Sequence, residues 1–352
     1  MTGRERFLRT FAGLPTEGRA ATPHWWGLYK FAHAGLISGY EDEGRAWNLS
    51  GHDLADVDGR FIRDVRPDMI HMTTGPCLSS STDAERAERK RLFEAVGRLE
   101  SNSVIDEYVE AHYRDKEEVL RSGVFAHIPA LVERYGSESV LVLNEGNPIS
   151  WVLDPNGCVG FENGLIALLE RPDRMEYLLH RCYEGLLPRM AALKECGADG
   201  YIGSETYCSA DLISPDLYRN LIFEAQRGFY DEVRRLGLLS ISYFLGNIDP
   251  LLPDLAHLGI DGLMVEEGKK GFRLDIDRIY RSLDGAVTLF GNLDSVEVLQ
   301  KGSRRDVVEE TVRQLAACDR GRFIMSNGCP ISFGTPLENI QAMLETAWSW
   351  SA

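Results

Sequence analysis

Short apolar runs recur along the chain, each bounded by turn residues and followed by a longer stretch of helical period. Eight stand out: Thr22–Trp26, Pro67–Met72, Ser139–Leu143, Asp199–Ile202, Leu238–Phe244, Asp261–Val265, Ala286–Phe290 and Arg322–Met325. Near-continuous apolar strands alternating with helices are the pattern of a parallel sheet whose faces are covered by helices. Eight such units predict a closed (β/α)8 TIM barrel of the α/β class rather than an open sheet.

The intervening segments carry helix signals. Ser214-Pro215 predicts the start of a helix over 216–237, with a polar cap and proline in the first turn. Ser303 with Asp306, and Thr335-Pro336-Leu337-Glu338, read as capping boxes, and Asp294 with Glu297 has the same form. Residues 173–197 place Met175, Leu178, Leu179, Cys182, Leu186 and Leu187 on one stripe, which is core packing. The segment between the second and third predicted strands is long, and its charged part, 83–100, reads as one or two exposed helices. No repeat or low-complexity linker divides the 352 residues, so a single domain over 1–352 is expected.

Charge narrows the choice of partners. Acidic residues outnumber basic ones 54 to 38, a net charge of −16. That balance argues against a nucleic-acid backbone or an anionic membrane surface as the main partner. Seven cysteines lie scattered with no C-x-x-C spacing, so no disulfide framework is expected and a cytoplasmic, reducing setting fits. The first twelve residues lack the continuous apolar stretch of a secretory leader, and no run approaches the roughly 18 apolar residues of a membrane helix.

Residues just after barrel strands face the mouth, where barrel chemistry is done. Here they include Trp25, Trp26 and Tyr29; His71; Asn144 and Glu145; Glu205 and Tyr207; Tyr243 and Asn247; Glu266 and Glu267; Asp294; and Ser326-Asn327-Gly328-Cys329-Pro330. The set is acidic and aromatic and contains one thiol. Converging carboxylates repel one another, so they either shift their pKa values or surround a cation. Cys329 with Glu205, Glu266 or Glu267 could hold a metal, or the carboxylates could serve as acid and base. The plain alternatives are a packed cysteine, a solvated Glu266-Glu267 loop neutralised by Lys269 and Lys270, a capping Asp294 and a core His71. No H-E-x-x-H, G-x-S-x-G, Walker A or strand-to-helix G-x-G-x-x-G motif is present, so serine-hydrolase, kinase and dinucleotide readings are weak.

The C-terminal third resembles the uroporphyrinogen decarboxylase superfamily, which includes corrinoid-dependent methyltransferases. The resemblance rests on Gly291-Asn292-Leu293-Asp294, Gly302, Ser326-Asn327-Gly328-Cys329-Pro330-Ile331 and Thr335-Pro336-Leu337-Glu338-Asn339-Ile340. Ile213-Ser214-Pro215-Asp216-Leu217-Tyr218, Gly246-Asn247 and the opening Thr22-Pro23-His24-Trp25 fit the same pattern. The arginine-rich stretch with which the decarboxylases grip substrate carboxylates is replaced by Gly27-Leu28-Tyr29-Lys30-Phe31. The zinc methyltransferases use H-x-C plus a later cysteine. Cys329 matches the later cysteine, while Tyr243 and Leu245 stand at the H-x-C positions.

The resemblance implies a methyltransferase that moves a methyl group from a small donor, a methoxylated aromatic or an amine, to a corrinoid carried by a partner protein. Glu205, Tyr243, Asn247 and Asp294 are the candidate catalytic residues. Zinc would be held by Cys329, Glu205 and Glu266. Trp25, Trp26, Tyr29, Tyr207, Tyr243 and Phe333 would wall the donor site, with His71, Glu145 and Asn327 contributing polar contacts. A homodimer is expected from the resemblance. A metal-free decarboxylase-like lyase and a non-catalytic ligand-binding barrel are the alternatives.

Overall fold

The computed structural model describes residues 1–39, 41, 44, 49–77, 82–268 and 271–351. Seven parallel strands follow one another in sequence order in one sheet: β1 Met69–Met72, β2 Val140–Gly146, β3 Gly200–Glu205, β4 Leu239–Phe244, β5 Gly262–Val265, β6 Thr288–Phe290 and β7 Phe323–Ile324. Residues 20–22 join the two edges. Met325 N–H donates to Ala20 O at 2.8 Å and Thr22 N–H to Met325 O at 3.0 Å, while Asp68 N–H donates to Ala21 O at 3.1 Å. The predicted first strand, Thr22–Trp26, is thus reduced to a bridge between Ala21 and Met325. Pro23 has no N–H with which to extend the ladder.

The barrel interior is filled by Met69, Val140, Val142, Ile202, Ile241, Met264, Phe290 and Ile324, which form a cluster distinct from the outer layer under the helices. The helix Gly3–Phe11 plugs the amino end of the strands. Its Phe7 and Phe11 rings lie 6.1 and 6.0 Å from Phe290. Arg4 grips Asp199 through two 2.6 Å hydrogen bonds, and Arg6 reaches Asp68 at 2.8 Å. With that end closed, the carboxyl ends of the strands are the side left for a site.

The outer elements follow most of their signals. Ser303 and Asp306 form a capping box for Arg304–Ala317, and Asp294 accepts from Val296 and Glu297 N–H to open the π-helix Ser295–Gln300. The helix expected over 216–237 breaks at Ile222 into Pro215–Leu221 and Phe223–Arg235. Thr335 does not cap its helix. Pro336 holds the cap position, and the Thr335 hydroxyl turns back to Ser332 O at 2.8 Å. The charged part, 83–100, holds one helix, Asp83–Val96, and among the described residues Asn102–His112, Lys116–Arg121 and Ile128–Tyr135 follow it before β2. Lys269 and Lys270 lie outside the described residues. Among the described residues no helix is long and apolar enough to cross a membrane.

Candidate active site

Alternation along a strand sends neighbouring residues to opposite faces. Ile202 belongs to the barrel interior and Tyr201 to the layer beneath the helices, so Glu205 points outward. Its Oε1 accepts from the Asn147 amide and from Tyr230 Oη at 2.9 Å. Its Oε2 accepts from Gln226 Nε2 at 2.6 Å and Cys208 Sγ at 3.7 Å. Gln226 and Tyr230 come from Phe223–Arg235, the second half of the broken helix. Glu205 is fully buried, and burial pushes its carboxyl up to about 7 against the pull of these four donors. Glu145 likewise leaves the barrel, bound bidentately by Arg189 at 2.8 and 2.6 Å.

The interior positions converge instead. Tyr243 Oη lies 3.9 Å from Cys329 Sγ, and Cys329 Sγ lies 3.8 Å from Glu266 Oε1. The other Glu266 oxygen accepts from Gly246 N–H at 2.7 Å. The His24 ring meets the Tyr243 ring edge-on at 4.2 Å, and His71 stands 5.7 Å beyond it. Burial holds Tyr243 well above the usual phenol range, reinforced by Cys329 and Glu266, so it keeps its proton. Burial also pushes His24 down to about 4, partly opposed by its 3.0 Å bond to Gly328 O, and holds His71 well below the ordinary imidazole range. Both imidazoles are therefore neutral near pH 7. The Nε2 of His24 and both ring nitrogens of His71 are buried without a protein hydrogen-bond partner, which leaves them to a water, an ion or a bound molecule.

Backbone architecture sets Cys329 in place. Asn327 Nδ2 donates to Cys329 O at 2.6 Å, and its Oδ1 accepts from His24 N–H at 2.8 Å. Ser295 Oγ accepts from Cys329 N–H at 3.0 Å. Gly328 lets this turn approach the β5 exit, because a Cβ there would lie 2.4 Å from Glu267 N.

The other expected residues serve different ends. Asp294 is a helix cap. Asn247 shapes a turn, its N–H on Asp211 and its Oδ1 accepting from Asp249 N–H. Trp26 is buried between Phe61 and His71. Tyr29 donates to Thr335 O at 2.9 Å. Tyr207 donates to Asp154 at 3.2 Å, and Phe333 packs against the small cluster around Phe31. Trp25 is half-buried, and its carbonyl accepts from Ile331 N–H at 3.3 Å. His24 belongs with the interior group although only its place in Thr22-Pro23-His24-Trp25 pointed to it. The partners of Glu205 and Glu145, namely Asn147, Gln226, Tyr230 and Arg189, carried no local signal.

The zinc set expected from Cys329, Glu205 and Glu266 is not assembled. Glu205 is on the other side of the barrel wall, committed to its own donors, and Leu245 offers no ligand atom where the zinc enzymes have a cysteine. Among the described residues no three His, Cys, Asp or Glu side chains group to hold a metal ion. The residues present do not fit a zinc site of the family's kind.

Fold and site together define a parallel β/α barrel with its functional groups at the carboxyl ends of the strands. The sequence pattern of the uroporphyrinogen decarboxylase (URO-D) family matches residues 149–350, and the chain belongs to this family. It is 28% identical over 220 residues to methylcobamide:CoM methyltransferase MtbA of Methanosarcina acetivorans, covering 62% of this chain and 61% of that protein. It is 29% identical over 221 residues to methylcobamide:CoM methyltransferase MtaA of Methanosarcina barkeri, covering 63% and 61%. The likeness therefore spans about three fifths of these relatives' length. A methyltransferase from Methanosarcina mazei shares the fold over 99% of this chain and 98% of its own, with a TM-score of 0.74 at 19% identity.

Proposed function

We propose that this chain is a methyltransferase moving a methyl group between a small donor and a corrinoid carried by a separate protein. The observation that carries the reading is the Tyr243–Cys329–Glu266 group at the mouth of a barrel whose sequence is similar to methylcobamide:CoM methyltransferases. The corrinoid supplies or accepts the methyl group when its protein docks. The work left to this chain is to seat the donor and to manage the heteroatom from which the methyl departs.

An ether oxygen or amine nitrogen leaves poorly unless its developing charge is neutralised. As the carbon–heteroatom bond breaks and its electron pair stays on the heteroatom, that atom takes a proton. Tyr243, which holds its proton through the neutral range, meets the electron pair left on that atom with a hydrogen bond, the proton itself coming from solvent as the product leaves, and Cys329, held in turn by Glu266, orients the phenol. His24 and His71 line the same wall as neutral hydrogen-bonding groups. No step is assigned to zinc. The same resemblance supports a single barrel domain working as a homodimer in the cytoplasm.

The test is a cobalamin assay. Purified protein is mixed with reduced cobalamin and a panel of methoxylated aromatics and methylamines, and the cobalt absorbance is followed. Protein-dependent methylation of cobalt by at least one donor, lost in Tyr243→Phe, is expected. The absence of any protein-dependent change, also with methylcobalamin and thiol acceptors in the reverse direction, would overturn the proposal.

A further inference from the structure

Beside the mouth, sharing no lining residue with Tyr243, Glu266 or Cys329, lies a cavity of about 590 Å³. Cys77, past the end of β1, and Glu145, at the end of β2, both line it, so it opens between those two strand exits. Much of its wall comes from the helices between β1 and β2, which precede the 149–350 stretch matched by the family pattern. The cavity is thus largely this chain's own.

Its walls are aromatic. Phe93 and Tyr108 stand 6.4 Å apart between ring centres, as do Tyr113 and Trp151. The Tyr108 and Tyr113 hydroxyls bond to Cys158 and Cys182, which commits those ends to the core and leaves ring surface for the cavity. Most of the ionic groups that line it are engaged with the protein. Arg189 takes Glu145 in two bonds at 2.8 and 2.6 Å, Asp154 accepts from Tyr207 and from Asn156 N–H, and Arg114 donates to Cys77 Sγ at 3.3 Å.

His112 differs from these. Its Nδ1 stands 2.9 Å from Tyr108 O, one turn back on the same helix. A carbonyl only accepts, so Nδ1 carries the hydrogen. Burial, with Arg89 nearby, lowers His112 from the ordinary imidazole value against the pull of that bond, so the ring is neutral near pH 7. Nε2, across the ring from the helix carbonyl, therefore keeps a lone pair. The His112 ring lies 4.2 Å from Tyr108 and 6.3 Å from Phe93, which sets this acceptor beside two of the aromatic walls.

We propose that this cavity binds a small neutral phenol, its ring against the Phe93–Tyr108 and Tyr113–Trp151 pairs and its hydroxyl donating to His112 Nε2. The volume lies within the range of roughly 300–1,000 Å³ usual for small-molecule pockets. The ring supplies apolar contact to the aromatic walls, and the hydroxyl brings the donor that a bare imidazole nitrogen accepts. The site does not depend on the methyl-transfer reading, since it is tested with no corrinoid present.

The experiment is titration of 2-naphthol with the full chain, followed by the polarisation of the naphthol emission. Its methyl ether, 2-methoxynaphthalene, has the same rings and no hydroxyl to donate. Saturable one-to-one binding of the naphthol is expected, with the ether about tenfold weaker. His112→Phe keeps a ring and removes the acceptor, so it should bring the naphthol down to the level of the ether and leave the ether unchanged, which also reports that the cavity is intact. Phe93→Ala removes part of the wall and should weaken both ligands about tenfold. Tyr243→Phe, at the mouth, should bind both as wild type. No saturable binding of the naphthol, equal affinity for naphthol and ether, equal loss of both ligands in His112→Phe, no loss in Phe93→Ala, or loss of naphthol binding in Tyr243→Phe but not in His112→Phe would overturn the proposal.

Discussion

Replacing Glu205 with glutamine should alter the way stability varies with pH. The carboxyl is fully buried, and burial raises it from 4.5 to about 7 although it accepts from Asn147, Tyr230, Gln226 and Cys208. Between those two values the folded chain holds one proton at this site that the unfolded chain has released. The stability this proton confers is complete below about pH 4.5 and is lost as pH rises through about 7. At about 1.4 kcal/mol per pH unit the whole interval amounts to about 3 kcal/mol, most of it between about pH 5 and pH 8. Glutamine has no proton to release, so the variant lacks this slope. It also turns an amide N–H toward donors, a pH-independent cost of about 1–3 kcal/mol. Urea unfolding of both proteins across that range separates the two effects. Asp68, raised to about 6, and His24 and His127, lowered to about 4, titrate in both proteins and drop out of the difference. Wild type should lose about 3 kcal/mol relative to Glu205→Gln as pH rises. A difference that stays constant, or that grows in favour of wild type, would refute the account of a carboxyl whose burial outweighs its donors.

Three other outcomes follow from the mouth. Tyr243→Phe keeps the ring against His24 and removes only the hydroxyl, so methyl transfer should fall about a hundredfold or more in kcat with unchanged circular dichroism; undiminished turnover would remove the phenol from the chemistry. Elemental analysis of wild type and Cys329→Ala should show no stoichiometric zinc that depends on the thiol, because Tyr243 and Leu245 replace two of the ligands; zinc lost on substitution would contradict the donor-set argument. Gly328→Ala places a methyl 2.4 Å from Glu267 N, a backbone atom with little room to yield, and should cost about 1–3 kcal/mol and lower the melting temperature by several degrees; an unchanged midpoint would show that the β5 and β7 exits can part.

The strands were legible because each apolar run is buried on both faces, and for the same reason the site was only partly so. In an antiparallel sheet, polar residues on the solvent side reveal which way each position points. In β2 and β3 both sides are apolar, Val142 and Ile202 within the barrel, Leu143 and Tyr201 beneath the helices. One position then decides everything at the strand end, and the pattern does not show it. Asn144 and Ser204 face the mouth, where Ser204 Oγ reaches Asn144 at 3.3 Å, while their neighbours Glu145 and Glu205 turn away to Arg189 and to the Gln226–Tyr230 pair. Pooling Glu205 with Glu266 and Cys329 in one metal site therefore joined groups from opposite sides of a wall. The residues that did converge, Tyr243, Glu266 and Cys329, were named at their own strand ends, but His24 was named only as part of Thr22-Pro23-His24-Trp25 and given no role. What brings it there is Asn327, whose side chain takes the His24 N–H across 303 positions of sequence and holds the Cys329 carbonyl with its other end. That single amide ties the segment closing the barrel to the turn that carries the thiol, a relation set by the closure of the ring and invisible to any pattern of local spacing.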